Sequence, residues 1–121
     1  QVEGSSKAFK GGMVVYSNEA KVDQLKISQE LLDEFGAVSK EVALEMAKNA
    51  RDVFSSDIGV SVTGIAGPGG GTDDKPVGLV YVGYSDSEGV NVYQFNFHSN
   101  RHTNKIRTTQ TVFNHILKKI N

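Results

Sequence analysis

Three groups of residues bring together functional groups that could do chemistry. The first joins Gly4-Ser5-Ser6 to Tyr16-Ser17-Asn18-Glu19-Ala20-Lys21. Tyr16 ends an apolar run and Ser17 to Lys21 open a helix, the kind of junction where α/β domains place ligands. An ammonium in the first turn of a helix opposes the dipole and gains nothing locally. Taken out of water its pKa falls, and a neutral amine beside a serine hydroxyl is a base for nucleophilic attack. An ordinary exposed lysine is the competing reading of Lys21, and composition alone favours it.

The second group is the stretch Thr63-Gly64-Ile65-Ala66-Gly67-Pro68-Gly69-Gly70-Gly71-Thr72-Asp73-Asp74-Lys75-Pro76-Val77-Gly78, with six of the chain's 13 glycines and both of its prolines. Glycine lets a ligand approach the backbone, and proline stiffens the loop by fixing φ. The stretch lacks the Lys-Ser or Lys-Thr of a P-loop, and a strand rather than a helix follows it. A surface crossover without a ligand is an equally good reading. The third group is Arg101, at the start of the last helical pattern. Its guanidinium can fork onto phosphate or carboxylate, or it is a plain surface arginine.

The elements that must position these groups follow from periodicity. Gly11 to Tyr16 reads as a buried strand. Ser17-Asn18 caps a helix with apolar Ala20, Val22 and Leu25. Ser28 caps a second, carrying Leu31, Leu32 and Phe35 and ending at Gly36. Ser39 caps a third over Lys40–Phe54, where Val42, Met46, Ala50, Val53 and Phe54 recur at helical spacing. Ile58 to Val62 reads as the strand before the Gly-rich loop. A hairpin follows, with strands Leu79–Ser85 and Val90–Phe97 and a turn at Asp86–Gly89. The last helix starts near Asn100, with Ile106, Phe113, Ile116, Leu117 and Ile120 on one face. Strands separated by helices argue for a layered α/β domain, with antiparallel edge pairing from the hairpin.

With 121 residues, 38% apolar and 22% charged, the chain reads as one ordinary globular domain. No apolar stretch approaches the roughly 20 residues that span a bilayer, so no membrane partner is expected. No secretory signal is seen, and the absence of cysteine excludes disulfides and thiolate chemistry and fits a cytoplasmic protein. Three histidines make a metal site unexpected. His98 to Asn121 holds five Lys or Arg and no acid, either a solvated face or an attraction for a phosphate-bearing ligand. Nucleic acid is the weaker option at a net charge of −1.

Together the motifs say more. Gly4 to Ser6, Tyr16 to Lys21, Gly36 to Ala43 (G-A-V-S-x-E-V-A) and Thr63 to Gly78 closely resemble the C-terminal domain of the competence/damage-inducible protein CinA, a family that includes nicotinamide-nucleotide amidohydrolases. The resemblance spans nearly all of residues 1–121, read as a single domain. It implies a three-layer α/β/α sandwich with a mixed sheet that includes the C-terminal antiparallel hairpin. It implies deamidation of nicotinamide mononucleotide to nicotinate mononucleotide and ammonia, with no cofactor, no metal and a small-molecule nucleotide as partner. The alternative is a non-catalytic domain of this fold that binds a nucleotide or a protein. By the resemblance, Ser6, Tyr16, Lys21 and Arg101 carry catalysis. Ser6 and Lys21 are cast as nucleophile and base, and Tyr16 as relay or orienter. Asn18, Thr63, Gly64, Gly67, Gly69, Gly70 and Lys75 line the substrate, and backbone N–H groups from Gly64 to Gly71 stabilise an oxyanion. A homo-oligomer in the cytoplasm is expected. Two departures stand out. Arg101 closes Phe97-His98-Ser99-Asn100-Arg101 where the family has F-x-G-D-R. The family's initial helix, strand and E-S-C-T-G-G segment have no counterpart before Gln1, so the domain reads as N-terminally incomplete.

Overall fold

The computed structural model describes residues 10–65, 67, 69–97 and 101–120, with positions 102, 113 and 115–120 described by backbone alone. In chain order it holds α1 (Asn18–Leu25), α2 (Gln29–Phe35), α3 (Lys40–Phe54), β1 (Gly59–Gly64), β2 (Leu79–Asp86), β3 (Gly89–Asn96) and α4 (Arg101–Ile120). The first three helices begin where serine caps were expected. Each serine Oγ accepts the N–H three residues on: Ser17 from Ala20 at 3.0 Å, Ser28 from Leu31 at 3.1 Å and Ser39 from Val42 at 3.2 Å. Ser39 also donates its hydroxyl to the Gly36 carbonyl at 2.7 Å, joining the end of α2 to the start of α3. Replacing Ser39 by alanine removes both bonds and is expected to cost about 1–2 kcal/mol, read as a lower midpoint in thermal unfolding.

The sheet has the order β1-β2-β3, and both of its pairings are antiparallel. Val62 faces Val82 across the first ladder, and Val82 faces Tyr93 across the second. Asp86 Oδ1 accepts the Glu88 N–H at 2.9 Å and shapes the hairpin turn. Helix α3 packs on the face that carries Ser61 and Gly83. The approach is close enough for Ser61 Oγ to donate to the Ala43 carbonyl at 2.6 Å. A Cβ on Gly83 would lie 2.4 Å from that same carbonyl, so only glycine fits there. Val42, Ala43, Met46 and Ala47 are buried along this helix, and Leu25, Ile27 and Leu32 complete the core beside it. The opposite face carries Val62, Gly64 and Val80, which with Asn104, Thr108 and Val112 of α4 enclose a cavity of about 450 Å³. Helix, sheet and helix therefore form three layers, and the α/β class is as expected.

The structure departs from the sequence reading in three places. Gly11 to Tyr16 is not a strand. Met13 and Val15 pack against the core, while Val14 is 95% exposed and Tyr16 90% exposed. The alternation is that of a strand, but a ladder needs a partner, and among the described residues β1 pairs only with β2. No parallel pairing, which a mixed sheet would need, occurs among the described residues. In α4, Ile106 is 45% exposed, and the helix turns Asn104 and Thr108 toward the sheet instead. The side chains of Phe113, Ile116, Leu117 and Ile120 lie outside the described residues.

Candidate functional site

Lys21 is the most unusual side chain in the structure. It sits in the first turn and a half of α1, and only 6% of it is exposed. Its position follows from the Ser17 cap, whose carbonyl accepts the Lys21 backbone N–H at 3.2 Å and so starts the helix beneath it. The Lys21 carbonyl in turn accepts the Ile27 N–H at 3.1 Å, tying the helix to a buried core residue. The ammonium donates to the Tyr16 carbonyl at a long 3.4 Å, and no carboxylate is bonded to it among the described residues. Burial alone therefore pushes its pKa below the ordinary 10.5. A buried amine short of counter-charge is the state that favours proton uptake from a nearby hydroxyl.

The Gly-rich stretch is anchored at several points. Thr63 is buried and donates Oγ1 to the Ala37 carbonyl at 2.8 Å, which joins it to the G-A-V-S segment. The loop closes where the Gly78 N–H donates to the Ile65 carbonyl at 2.6 Å and the Ile65 N–H to the Leu79 carbonyl at 2.9 Å. Gly67 and Gly70 have φ of 89° and 88°, the left-handed region where glycine is unstrained. The Gly67 carbonyl accepts from Arg101 Nη1 at 3.0 Å. Lys75 reaches across to the carbonyl of Phe35, the last residue of α2, at 2.5 Å, where a cation also complements the helix dipole. Arg101 and Lys75 thus act as two cationic braces on one loop. Gly64 also borders the cavity under α4, and Gly69 has open space where a Cβ would go.

Residues 1–120 match the family described as the CinA C-terminal domain. The chain belongs to that family. A protein of Halothermothrix orenii named as competence-damage inducible is 49% identical over 118 residues, covering 97% of this chain and 29% of the relative. A CinA-like protein of Rippkaea orientalis is 45% identical, covering 98% of this chain and 29% of its own. The chain thus spans under a third of the length of these relatives. The crystal structure of the competence/damage inducible protein CihA from Agrobacterium tumefaciens superposes with a TM-score of 0.94 at 37% identity, covering 99% of this chain and 74% of that one.

Within the CinA domain, the structure brings Lys21 to the backbone of Tyr16 and Arg101 to the Gly-rich loop, while Lys75 reaches from that loop to the end of α2. The Tyr16 ring stays in solvent, and Asn18 is exposed on the first turn of α1. Ser6 lies outside the described residues. Asn104 escaped the sequence reading: it is 1% exposed and borders the cavity beside Gly64 and Val80. Asparagine is usually a surface residue, so periodicity gave it no signal. Among the described residues no helix is long and apolar enough to cross a membrane, and no cluster of acids or histidines could hold a metal ion.

Proposed function

We propose that the domain hydrolyses the carboxamide of nicotinamide mononucleotide to nicotinate mononucleotide and ammonia. The reading rests on one observation above the others: a lysine buried in the opening of α1, beside the Tyr16 backbone, with its amine short of counter-charge. In this scheme the neutral Lys21 amine takes the proton of the Ser6 hydroxyl as its oxygen bonds to the amide carbon. The Lys21 ammonium returns that proton to the departing nitrogen, ammonia leaves, and water then cleaves the acyl-serine to carboxylate and free hydroxyl. Tyr16 orients the amide, and backbone N–H groups of the loop around Gly67 to Gly70 face the oxyanion, a contribution worth about 3 kcal/mol per donor in acyl transfer. Arg101 holds that loop through the Gly67 carbonyl and keeps four further N–H groups for the nucleotide phosphate.

An assay of ammonia and nicotinate mononucleotide on the full-length protein tests this. Equal release of both products is the expected result. Nucleotide that binds by calorimetry but is not turned over would instead make this a binding domain.

A further inference from the structure

The outer edge of β3 is a hydrogen-bonding surface. Among the described residues β3 pairs only with β2. Its eight residues follow β2 one for one, from Asp86 opposite Gly89 to Leu79 opposite Asn96, with no bulge. The Phe97 N–H donates to the Gly78 carbonyl, so by the alternation of an antiparallel ladder Phe95, Tyr93 and Asn91 bond β2. The N–H and carbonyl groups of Val90, Val92, Gln94 and Asn96 then point outward. Edge strands are ordinarily protected by a charged side chain, a proline or a bulge. Gly89 to Phe97 holds no charged residue and no proline. Apolar side chains flank this edge on both faces. Val92 is opposite Gly83, on the face against α3, and Tyr93 is opposite Val82, on the other. Phe95 and Phe97 follow Tyr93 on that face, stacked with ring centroids 6.0 Å apart and planes 4° from parallel. The two ends of the strand differ in charge. Asp86 and Glu88 stand at the turn before it, while from His98 on the chain carries five Lys or Arg and no acid.

We infer that this edge pairs with the same edge of a second copy of the chain, antiparallel and about a two-fold axis beside Tyr93, so that one sheet runs through both copies. An antiparallel edge is self-complementary, because the two-fold axis presents the N–H groups of each copy to the carbonyls of the other. An axis at Tyr93 uses all four outward-facing residues. Val92 of one copy then faces Gln94 of the other, and Val90 faces Asn96. The ladder extends about 25 Å. It sets Tyr93 against Tyr93 in a non-hydrogen-bonded pair, with Cα atoms about 4.5 Å apart. Charge favours a second copy over an unrelated strand. Antiparallel pairing lays the acidic turn of each copy beside the other's Phe97, where the chain turns basic, and the uncharged strands between have nothing to repel each other. This inference does not depend on the proposed activity.

The test compares Tyr93→Cys with Asn91→Cys in the full-length protein under mild oxidation. Tyr93→Cys is expected to join two copies by a disulfide, since the cross-strand spacing at the axis suits an S–S bond. Asn91→Cys faces Phe95 of the other copy in this register and is expected to stay unlinked. Gln94→Pro removes an outward-facing N–H, which an edge strand tolerates, and Gln94→Ala keeps it. Added to Tyr93→Cys, the proline is expected to preserve the circular dichroism and lose the disulfide, and the alanine to preserve both. Sedimentation of the protein without added cysteine is expected to show a two-copy species that Gln94→Pro dissociates. Folded Tyr93→Cys that stays unlinked, equal linking through Asn91→Cys, linking undiminished by folded Gln94→Pro, or no two-copy species would each overturn the inference.

Discussion

Lys21→Met in the full-length protein is expected to lower kcat for the proposed ammonia release from nicotinamide mononucleotide at least 100-fold, while the thermal midpoint rises. Both effects come from one cause. The amine is buried with a single long hydrogen bond, so folding pays for its desolvation. Methionine fills similar space without a charge. General-base catalysis contributes about 10²–10⁴-fold, and that contribution is lost with the amine. The pH dependence follows from the same lysine. Its folded pKa lies below 10.5, so the unfolded chain holds the proton more tightly. The wild-type protein is therefore penalised below the folded pKa and gains stability as pH rises from there to 10.5. If Lys21 is the base, the catalytic rate is expected to rise with pH up to the folded pKa and to level off above it. Lys21→Met shows neither trend, and stability measured by denaturant at several pH values separates the two proteins.

The second large effect is structural. Gly78→Ala is expected to destabilise the domain by on the order of 4 kcal/mol, a large share of the 5–15 kcal/mol that holds a typical domain together. Gly78 has φ of 92°, and a Cβ on it would lie 1.6 Å from the Phe97 carbonyl oxygen. The clash is with backbone held in place by the Phe97 N–H bond to the Gly78 carbonyl at 2.8 Å, so the side chain has nowhere to turn. Gly69→Ala provides the contrast within the same loop. Among the described residues nothing lies within 4 Å of its Cβ position, so a change within about 0.5 kcal/mol is expected. Thermal unfolding of the two variants side by side measures the difference.

Much of the fold was legible because its signals are local. Ser17, Ser28 and Ser39 announce helices through a bond to the third residue on, and the hairpin turn needs only Asp86 to Gly89. The family, too, is written in short runs such as Tyr16 to Lys21 and Thr63 to Gly71. What escaped the sequence depends on distant partners. Met13 to Tyr16 has a strand's alternation, but pairing is decided by what lies beside it. Asn104 and Thr108 face the sheet where an apolar stripe through Ile106 was expected, because that side of α4 borders a cavity rather than a packed core. Lys75 is expected from the sequence to line the substrate, yet its ammonium ends on the Phe35 carbonyl, 40 residues away in the chain. The burial of Lys21 could only be shown by coordinates, since composition favoured a surface lysine.

The central claim is that Lys21 is a desolvated amine whose proton leaves more easily than that of a lysine in water. Direct titration of the Lys21 side-chain nitrogen by NMR tests this most directly. The expected midpoint lies clearly below 10.5. A midpoint at or above 10.5 would contradict the claim.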